Sequence, residues 1–309
     1  MASIFFKTSP NQIKTTTSRK VYLVINAILL LLIAVICILP FLNLLAISLS
    51  DKDAVIANKV FIWPVGFNLK AYSYLITNSK FFTAFGISIL RVVLGTIISL
   101  FVTMLMAYPL AFAKDVLKGR FFYIALVIVA MFFSGGLIPT FILINKIGLG
   151  DSIWALVLPG AMNCWNMILF INFFRNVPKE MLESAKLDGA GHFTILFKII
   201  IPLSLPVVAT VALFCVIGNW NAWFDGYLYM SNPDKWPLQT YIYHMMEELK
   251  NFQLNKDKMT PEEIEAFSKT NDTTLRAAQV FIAMIPVLLI YPIASKYFMK
   301  GILLGGVKE

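Results

Sequence analysis

Three kinds of residue in this 309-residue chain could do chemistry, and spacing limits two of them at once. Cys37, Cys164 and Cys215 stand in three separate apolar runs, without the close Cys or His neighbours that a zinc site or a redox pair requires. They read as helix-packing residues. His192 and His244 are the two histidines, and neither is surrounded by a matched nucleophile, base and metal set. A membrane enzyme is disfavoured and no metal is expected. The third kind is neutral: Asn163, Trp165, Asn166 and Asn172 fall together, as do Asn219, Trp220, Asn221, Trp223 and Tyr227. Aromatic faces stack on C–H surfaces and amides bond hydroxyls, so both clusters suit a sugar-like ligand in a largely apolar passage. Asn163, Trp165, Asn166, Trp220, Asn221 and Trp223 are the candidate lining. A structural reading competes, since Asn hydrogen-bonds between packed helices and Trp favours membrane interfaces.

The elements that must position these residues are set by composition. Hydrophobic residues make up 59% of the chain and charged residues 14%, against about 25% charged in a soluble domain. Apolar runs extend from Val21 to Ser50, Phe81 to Ala113 (interrupted by Arg91), Phe121 to Asn145, Ser152 to Phe174, Ile199 to Phe224 and Ala277 to Ser295. Each matches the roughly 17–25 residues that cross a bilayer as a helix. Their apolar character is continuous rather than alternating, which excludes a β-barrel. The first run is too long for a secretory signal and reads as a retained helix. Six transmembrane helices are expected, in an all-α integral membrane protein. Arg91, near the outer end of the second, reads as snorkelling to interfacial water rather than meeting substrate. The Ser134-Gly135-Gly136 break with Pro139 is a candidate bend in the third, either a hinge or a site of tight packing.

Lys and Arg orient the spans. With both termini in the cytoplasm, the inner connections hold Lys7, Lys14, Arg19, Lys20, Lys114, Lys118, Arg120, Arg175, Lys179, Lys186, Lys198, Lys296, Lys300 and Lys308. Against these stand Asp115, Glu180, Glu183, Asp188 and Glu309, while acids outnumber Lys in the outer connections. This is the positive-inside pattern. The net charge of +9 therefore has a membrane explanation, and nucleic acid is not an expected partner. The resulting organisation is a cytoplasmic N-terminal segment (1–20), a six-helix domain (21–298) and a cytoplasmic tail (299–309).

Two connections stand out. The outer one, 229–275, is long, with short helices expected at Tyr241–Lys250 and Pro261–Ser268, the latter opened by Thr260. It either meets a partner or caps the helix ends. The inner one, 175–202, reads as a helix starting at Pro178 with Met181, Leu182, Ala185 and Leu187 on its apolar side. A turn at Asp188-Gly189-Ala190-Gly191 and an amphipathic stretch from His192 to Pro202 follow. By itself this could be a connector lying on the lipid surface.

Glu183-Ser184-Ala185, Asp188-Gly189-Ala190, Phe197, Ile199 and Pro202 resemble the cytoplasmic Glu-Ala-Ala…Gly…Ile-x-Leu-Pro signature of bacterial ABC-importer permeases. Ser184 replaces the first Ala and Ile201 the Leu before Pro202, and both changes preserve size or apolarity. Phe133-Ser134-Gly135-Gly136-Leu137-Ile138-Pro139-Thr140, Trp220-Asn221-Ala222-Trp223-Phe224 and the closing Lys300-Gly301 to Val307-Lys308 are similar to carbohydrate-uptake permeases, nearest the branch handling oligosaccharides and polysaccharide fragments. The resemblance implies the type I ABC importer (MetI/MalG-like) permease fold in a bacterial cytoplasmic membrane. It also implies a heterodimer with a homologous permease, two ATPase subunits that bind ATP and Mg, and an extracytoplasmic sugar-binding protein. In such permeases the inner helix pair docks on the ATPase, which assigns that role to Glu183, Ser184, Ala185, Asp188, Gly189, Ala190, Phe197 and Pro202. The chain contains no G-x-x-x-x-G-K-[ST] phosphate loop, so it is expected to carry no cofactor and to draw its energy from another chain. The alternative, a stand-alone carrier driven by an ion gradient, calls for ionisable groups within the spans and internal repeats. Neither is visible.

Overall fold

The computed structural model describes residues 16–112, 119–255, 258–262 and 273–305. Most of the 1–20 segment, Lys114 and Lys118, most of the helix expected at Pro261–Ser268, and residues 306–309 lie outside them. The described residues are helical, without strands. They divide into two compact units, Met1–Tyr72 with Asn271–Phe281, and Ser73–Thr270 with Ile282–Glu309.

In the first unit, α1 (Thr17–Ser48) is apolar on all sides and exposes side chains from Val21 to Leu42. A helix hydrophobic all round has lipid or another apolar surface as its solvent. Its C-terminal end is closed by the following loop, which contains α2 (Lys52–Ile56). Ser50 Oγ donates to Ala46 O and accepts from Val65 N–H (2.6 and 3.0 Å), and Asn68 N–H reaches Leu49 O (3.0 Å). These bonds satisfy end groups that the helix itself cannot.

The second unit is arranged along α4 (Ser79–Ala111), which follows the short α3 (Lys70–Thr77). Asn78 caps α4 by accepting from Phe81 N–H (3.2 Å). Ala84, Ser88, Arg91, Gly95, Ser99, Thr103 and Ala107 recur at three or four residues and are buried on one face, while Ile89, Leu90, Val93, Ile97 and Phe101 face outward. Small residues let other helices approach closely. Those helices are α8 (Cys164–Arg175) and α11 (Leu205–Asn221). At Gly95 an added Cβ would stand 2.7 Å from Asn219 Oδ1, so glycine is required by space.

The apolar runs do not all become straight spans. Among the described residues, three helices are long and apolar enough to cross a membrane unbroken: α1, α4 and Thr273–Ile290, the first part of α14 (Thr273–Gly305). The third run breaks at Ser134-Gly135-Gly136 into α5 (Arg120–Phe132) and α6 (Leu137–Lys146), bent by 108°. The fourth yields α7 (Ile153–Val157) and α8, parted by residues 158–163, where Pro159 and Gly160 interrupt the helix. At 12 residues, α8 is roughly 18 Å long and too short to cross alone. Between α8 and α11 the chain forms α9 (Lys179–Leu187) and α10 (His192–Leu203). The fifth run also starts later than expected. Ile199 to Leu203 belong to α10, and an 86° bend at Ser204 precedes α11. Pro206 explains the break, because it has no N–H to continue the hydrogen-bond ladder across Ser204.

Arg91 does not snorkel. It is 2% exposed, and its guanidinium grips both carboxylate oxygens of Asp225 while Nη1 also donates to Ala222 O (3.1 Å). Ala222 is the terminal break between α11 and α12 (Phe224–Tyr229). The cation was expected in water because its partner lies 134 positions away in sequence. Ser88 similarly accepts the N–H of Leu238, the first residue of α13 (Leu238–Asn255), at 2.7 Å. This helix is longer than the Tyr241–Lys250 segment expected.

Replacing one partner of a buried ion pair leaves the other charge uncompensated, at about 3–5 kcal/mol. Asp225→Ala is therefore expected to lower the unfolding midpoint of the purified complex more than Arg91→Met combined with Asp225→Leu, which removes both charges. An equal or larger loss in the double variant would contradict the pairing.

Candidate functional site

The inner helix pair is built from its turn outward. Helix α9 follows Pro178 and carries Glu180 in its first turn and Lys186 in its last, each charge at the end that the helix dipole favours. It ends in a two-bond reversal: Gly189 N–H donates to Lys186 O (3.0 Å) and Ala190 N–H to Ala185 O (2.9 Å). This is the Schellman pattern, which requires a left-handed residue one position past the cap. Gly189 fills it at φ +80°, and an added Cβ would meet nothing within 4 Å. Conformation, rather than close approach within this chain, demands glycine.

The underside of the pair is fastened to the protein. Leu182 of α9 and Ile195, Leu196 and Ile200 of α10 are buried against Phe170 and Phe174 of α8, Ala107 and Tyr108 of α4, and Val207 and Val211 of α11. Each such burial is worth about 1.5–3 kcal/mol relative to water. Ala185 and Ala190 pack half-buried on the same cluster, and Tyr108 OH shares a hydrogen bond with His192 Nδ1 (3.0 Å). Sequence spacing did not point to that last link, since the two residues are 84 positions apart.

The opposite side is open and apolar. Met181 and Leu187, expected on the apolar side of α9, point away from the cluster, Leu187 at 89% exposure, with Phe193 at 70%. The helix meets the core through a narrower stripe, Leu182 and Ala185. Glu183, Ser184, Asp188 and Gly189 are exposed beside these three residues. Exposed apolar groups rimmed by polar ones mark an interaction surface. Phe197 stacks on Phe101 (6.4 Å between centroids, 24°) and Pro202 is exposed near the bend, so both lie apart from the turn.

A second feature sits partway along α4, against α8 and α11. A cleft of about 530 Å³ is lined by Ser99, Asn163, Trp165, Asn166, Phe214 and Asn219, with Cys215 and two glycines. Asn163 caps α8 through Asn166 N–H (3.0 Å). Asn166 Nδ2 donates weakly to Cys215 Sγ (3.8 Å), which lies 3.5 Å from Ser99 Oγ, and Asn219 Nδ2 donates to Cys215 O (2.8 Å). Trp165 is 58% exposed. Neutral amides, a hydroxyl and a free indole face thus converge without a charge.

Of the six candidate lining residues, Asn163, Trp165 and Asn166 come together here. Trp220 is buried, donating its indole N–H to Ala283 O (3.0 Å) and meeting Phe85 edge-on. Asn221 is exposed away from the cleft, and Trp223 stacks on Tyr243 (4.1 Å, 20°). Around Tyr243 gather Tyr227 and His244, the latter stacked on Trp236 (3.8 Å, 7°). Nearby, Asp151 accepts from Asn232 and Ser231 N–H (3.1 and 2.7 Å), bonds that hold its carboxyl below the usual range. Ser99 and Phe214 belong to neither cluster, and Asn219, named in the second cluster, was not among the six candidates. Ser99 could have been found from the recurrence of small and polar residues at three or four positions on α4, whereas Asn219 is separated from its cluster neighbours by the rotation that sets it opposite Gly95.

Residues 81–304 match the family of the binding-protein-dependent transport system inner membrane component. The chain is 39% identical over 279 residues to the polygalacturonan/rhamnogalacturonan transport system permease protein YtcP of Bacillus subtilis, covering 90% of this chain and 95% of the relative. It is 39% identical over 293 residues to protein LplC of Bacillus subtilis, covering 95% and 97%. A crystal structure of a bacterial ABC transporter involved in the import of the acidic polysaccharide alginate contains a chain that superposes with a TM-score of 0.82. Identity there is 29%, over 93% of this chain and 100% of that one. With this fold, and with a match spanning both the inner helix pair and the cleft, the chain belongs to the binding-protein-dependent transport system inner membrane component family, the permeases of ABC importers.

Proposed function

We propose that this chain forms half of the channel of an importer of oligosaccharides or polysaccharide fragments, paired with a homologous permease. Two ATPase chains drive it through α9–α10, and an external binding protein delivers the sugar. Both termini, and the α9–α10 pair, face the cytoplasm. The observation that carries this reading is the asymmetry of α9–α10: its underside is locked into the core by Leu182, Ile195, Leu196 and Ile200, while Met181, Leu187 and Phe193 stand out beside Glu183 and Asp188. An element rigid on one side and adhesive on the other passes a partner's movement on as a rigid body. Helices α8 and α11, which clamp it, also line the cleft.

Sugar identity is supported by the cleft and by the relatives. Asn163, Asn166 and Asn219 present amides and Trp165 an aromatic face, which suit hydroxyls and C–H surfaces. The relatives carry polygalacturonan/rhamnogalacturonan and alginate in their descriptions. The stacked pairs of Trp223 with Tyr243 and Trp236 with His244, at the end of α11 and in the outer loop that follows, offer a surface for the binding protein.

Two experiments test this. Gly189→Val forces a β-branched residue to positive φ, a strain of roughly 1–2 kcal/mol. In vesicles containing the assembled transporter, binding-protein-stimulated ATP hydrolysis and uptake should fall by about 5–30-fold, with membrane insertion unchanged. Normal coupled uptake by that variant, or sugar uptake by the chain without ATPase subunits, would overturn the coupling role.

Trp165→Ala should raise the sugar concentration for half-maximal uptake about tenfold, an effect of roughly 1.4 kcal/mol, while Trp220→Phe should chiefly lower thermal stability. Uptake kinetics unaffected by Trp165→Ala would remove the cleft from the pathway.

A further inference from the structure

A second groove, separate from the cleft, opens between α5 and α8 and has a volume of about 210 Å³. Its walls are Ile124, Val127 and Ile128 from α5, and Ile168 and Ile171 from α8. The polar residues are confined to the last turn of α8, at Asn172 and Arg175. Leu110, in the closing turn of α4, also lines it, placing that mouth at the same membrane level as the end of α4. Arg120 opens α5 one turn before Ile124 and on the same helix face. Its Nε is buried without a hydrogen-bond partner. Among the described residues, Arg120 and Arg175 form no ion pair. Phe121 and Phe122, both exposed, follow Arg120, and aromatic residues are enriched where helices meet a membrane surface.

We propose that this groove binds one phospholipid with an anionic head group. The volume is below the roughly 300–1,000 Å³ of a pocket for a compact small molecule, and its isoleucine walls suit part of an acyl chain. Any lipid tail satisfies the walls; two guanidinium groups without acidic partners at one end select the head. Arg presents a planar fork that fits phosphate oxygens in pairs, and basic mouths between transmembrane helices hold anionic lipids in this way. Because Arg175 lies four residues before α9, the bound lipid braces the joint from which α9–α10 extends. Its assignment to the cytoplasmic leaflet rests on the orientation proposed above; the site does not.

The test is native mass spectrometry of the assembled transporter, purified after reconstitution in vesicles of equal phosphatidylglycerol and phosphatidylcholine. Wild-type transporter should retain phosphatidylglycerol over phosphatidylcholine by about tenfold. Arg120→Gln combined with Arg175→Gln should abolish that preference. Ile128→Trp, which fills the groove and keeps both charges, should lose the retained lipid altogether, and it serves as the decisive variant if the double substitution fails to assemble. Equal retention of the two lipids by wild type, or phosphatidylglycerol retention unchanged in Ile128→Trp, would overturn the site. Crosslinking of Ile128→Cys to a helix of the partner permease would also overturn it. Binding-protein-dependent uptake measured on the same vesicles is independent of these outcomes, so a failed lipid site leaves the importer reading standing, and the converse holds.

Discussion

A bilayer core offers no water to a stray dipole, so every polar group that enters it needs a partner from the protein. In the second unit most of these partners stand along one face of α4, where Thr103 Oγ1 and Arg91 Nε have no hydrogen-bond partner among the described residues. Ser88 accepts a backbone N–H from the start of α13, Arg91 holds Asp225 and the free carbonyl of Ala222, and Ser99 lies against Cys215. Gly95 gives Asn219 the room to lie across the helix. These links are spaced by about one helical turn and reach three different elements. Small residues permit the approach, and the polar atoms among them fix which group arrives where. Lipid exposure of the other face then costs nothing, because Ile89, Val93, Ile97 and Phe101 are apolar.

The same scaffold relates the two candidate sites. One end of α8 packs the inner helix pair through Phe170 and Phe174, and its other end supplies Asn163, Trp165 and Asn166 to the cleft. Helix α11 repeats the arrangement, with Val207 and Val211 below and Phe214, Cys215 and Asn219 above. In the proposed transporter, a push on α9–α10 therefore tilts the cleft walls directly. Close-packed interiors transmit such displacements because side chains cannot absorb them without opening voids. The right-angle bend at Ser204 turns a displacement along the membrane surface into one of a helix entering it.

Much of this was legible in residue order. Continuous apolarity demands helices in lipid, and Glu183, Gly189 and Pro202 marked the α9–α10 pair with its turn at Gly189. Asn163, Trp165 and Asn166 were found because they cluster within one helical turn. Other features were hidden for stated reasons. The fourth run was read as a span because apolar content does not report a break at Pro159-Gly160. Periodicity put Met181 and Leu187 on the apolar side of α9 without giving the width of the surface that this side meets.

Local rules thus determined the solvent, the helical class and the reversal at Gly189, each of which depends on residues within a few positions of one another. Tertiary structure alone decided the pairing of Arg91 with Asp225, the burial of Trp220 against Ala283, the bond from Tyr108 to His192 and the cleft opposite Gly95. These contacts join residues 63 to 134 positions apart. Their formation depends on how closely two helices approach and at what rotation, which the spacing of residues along either helix leaves open.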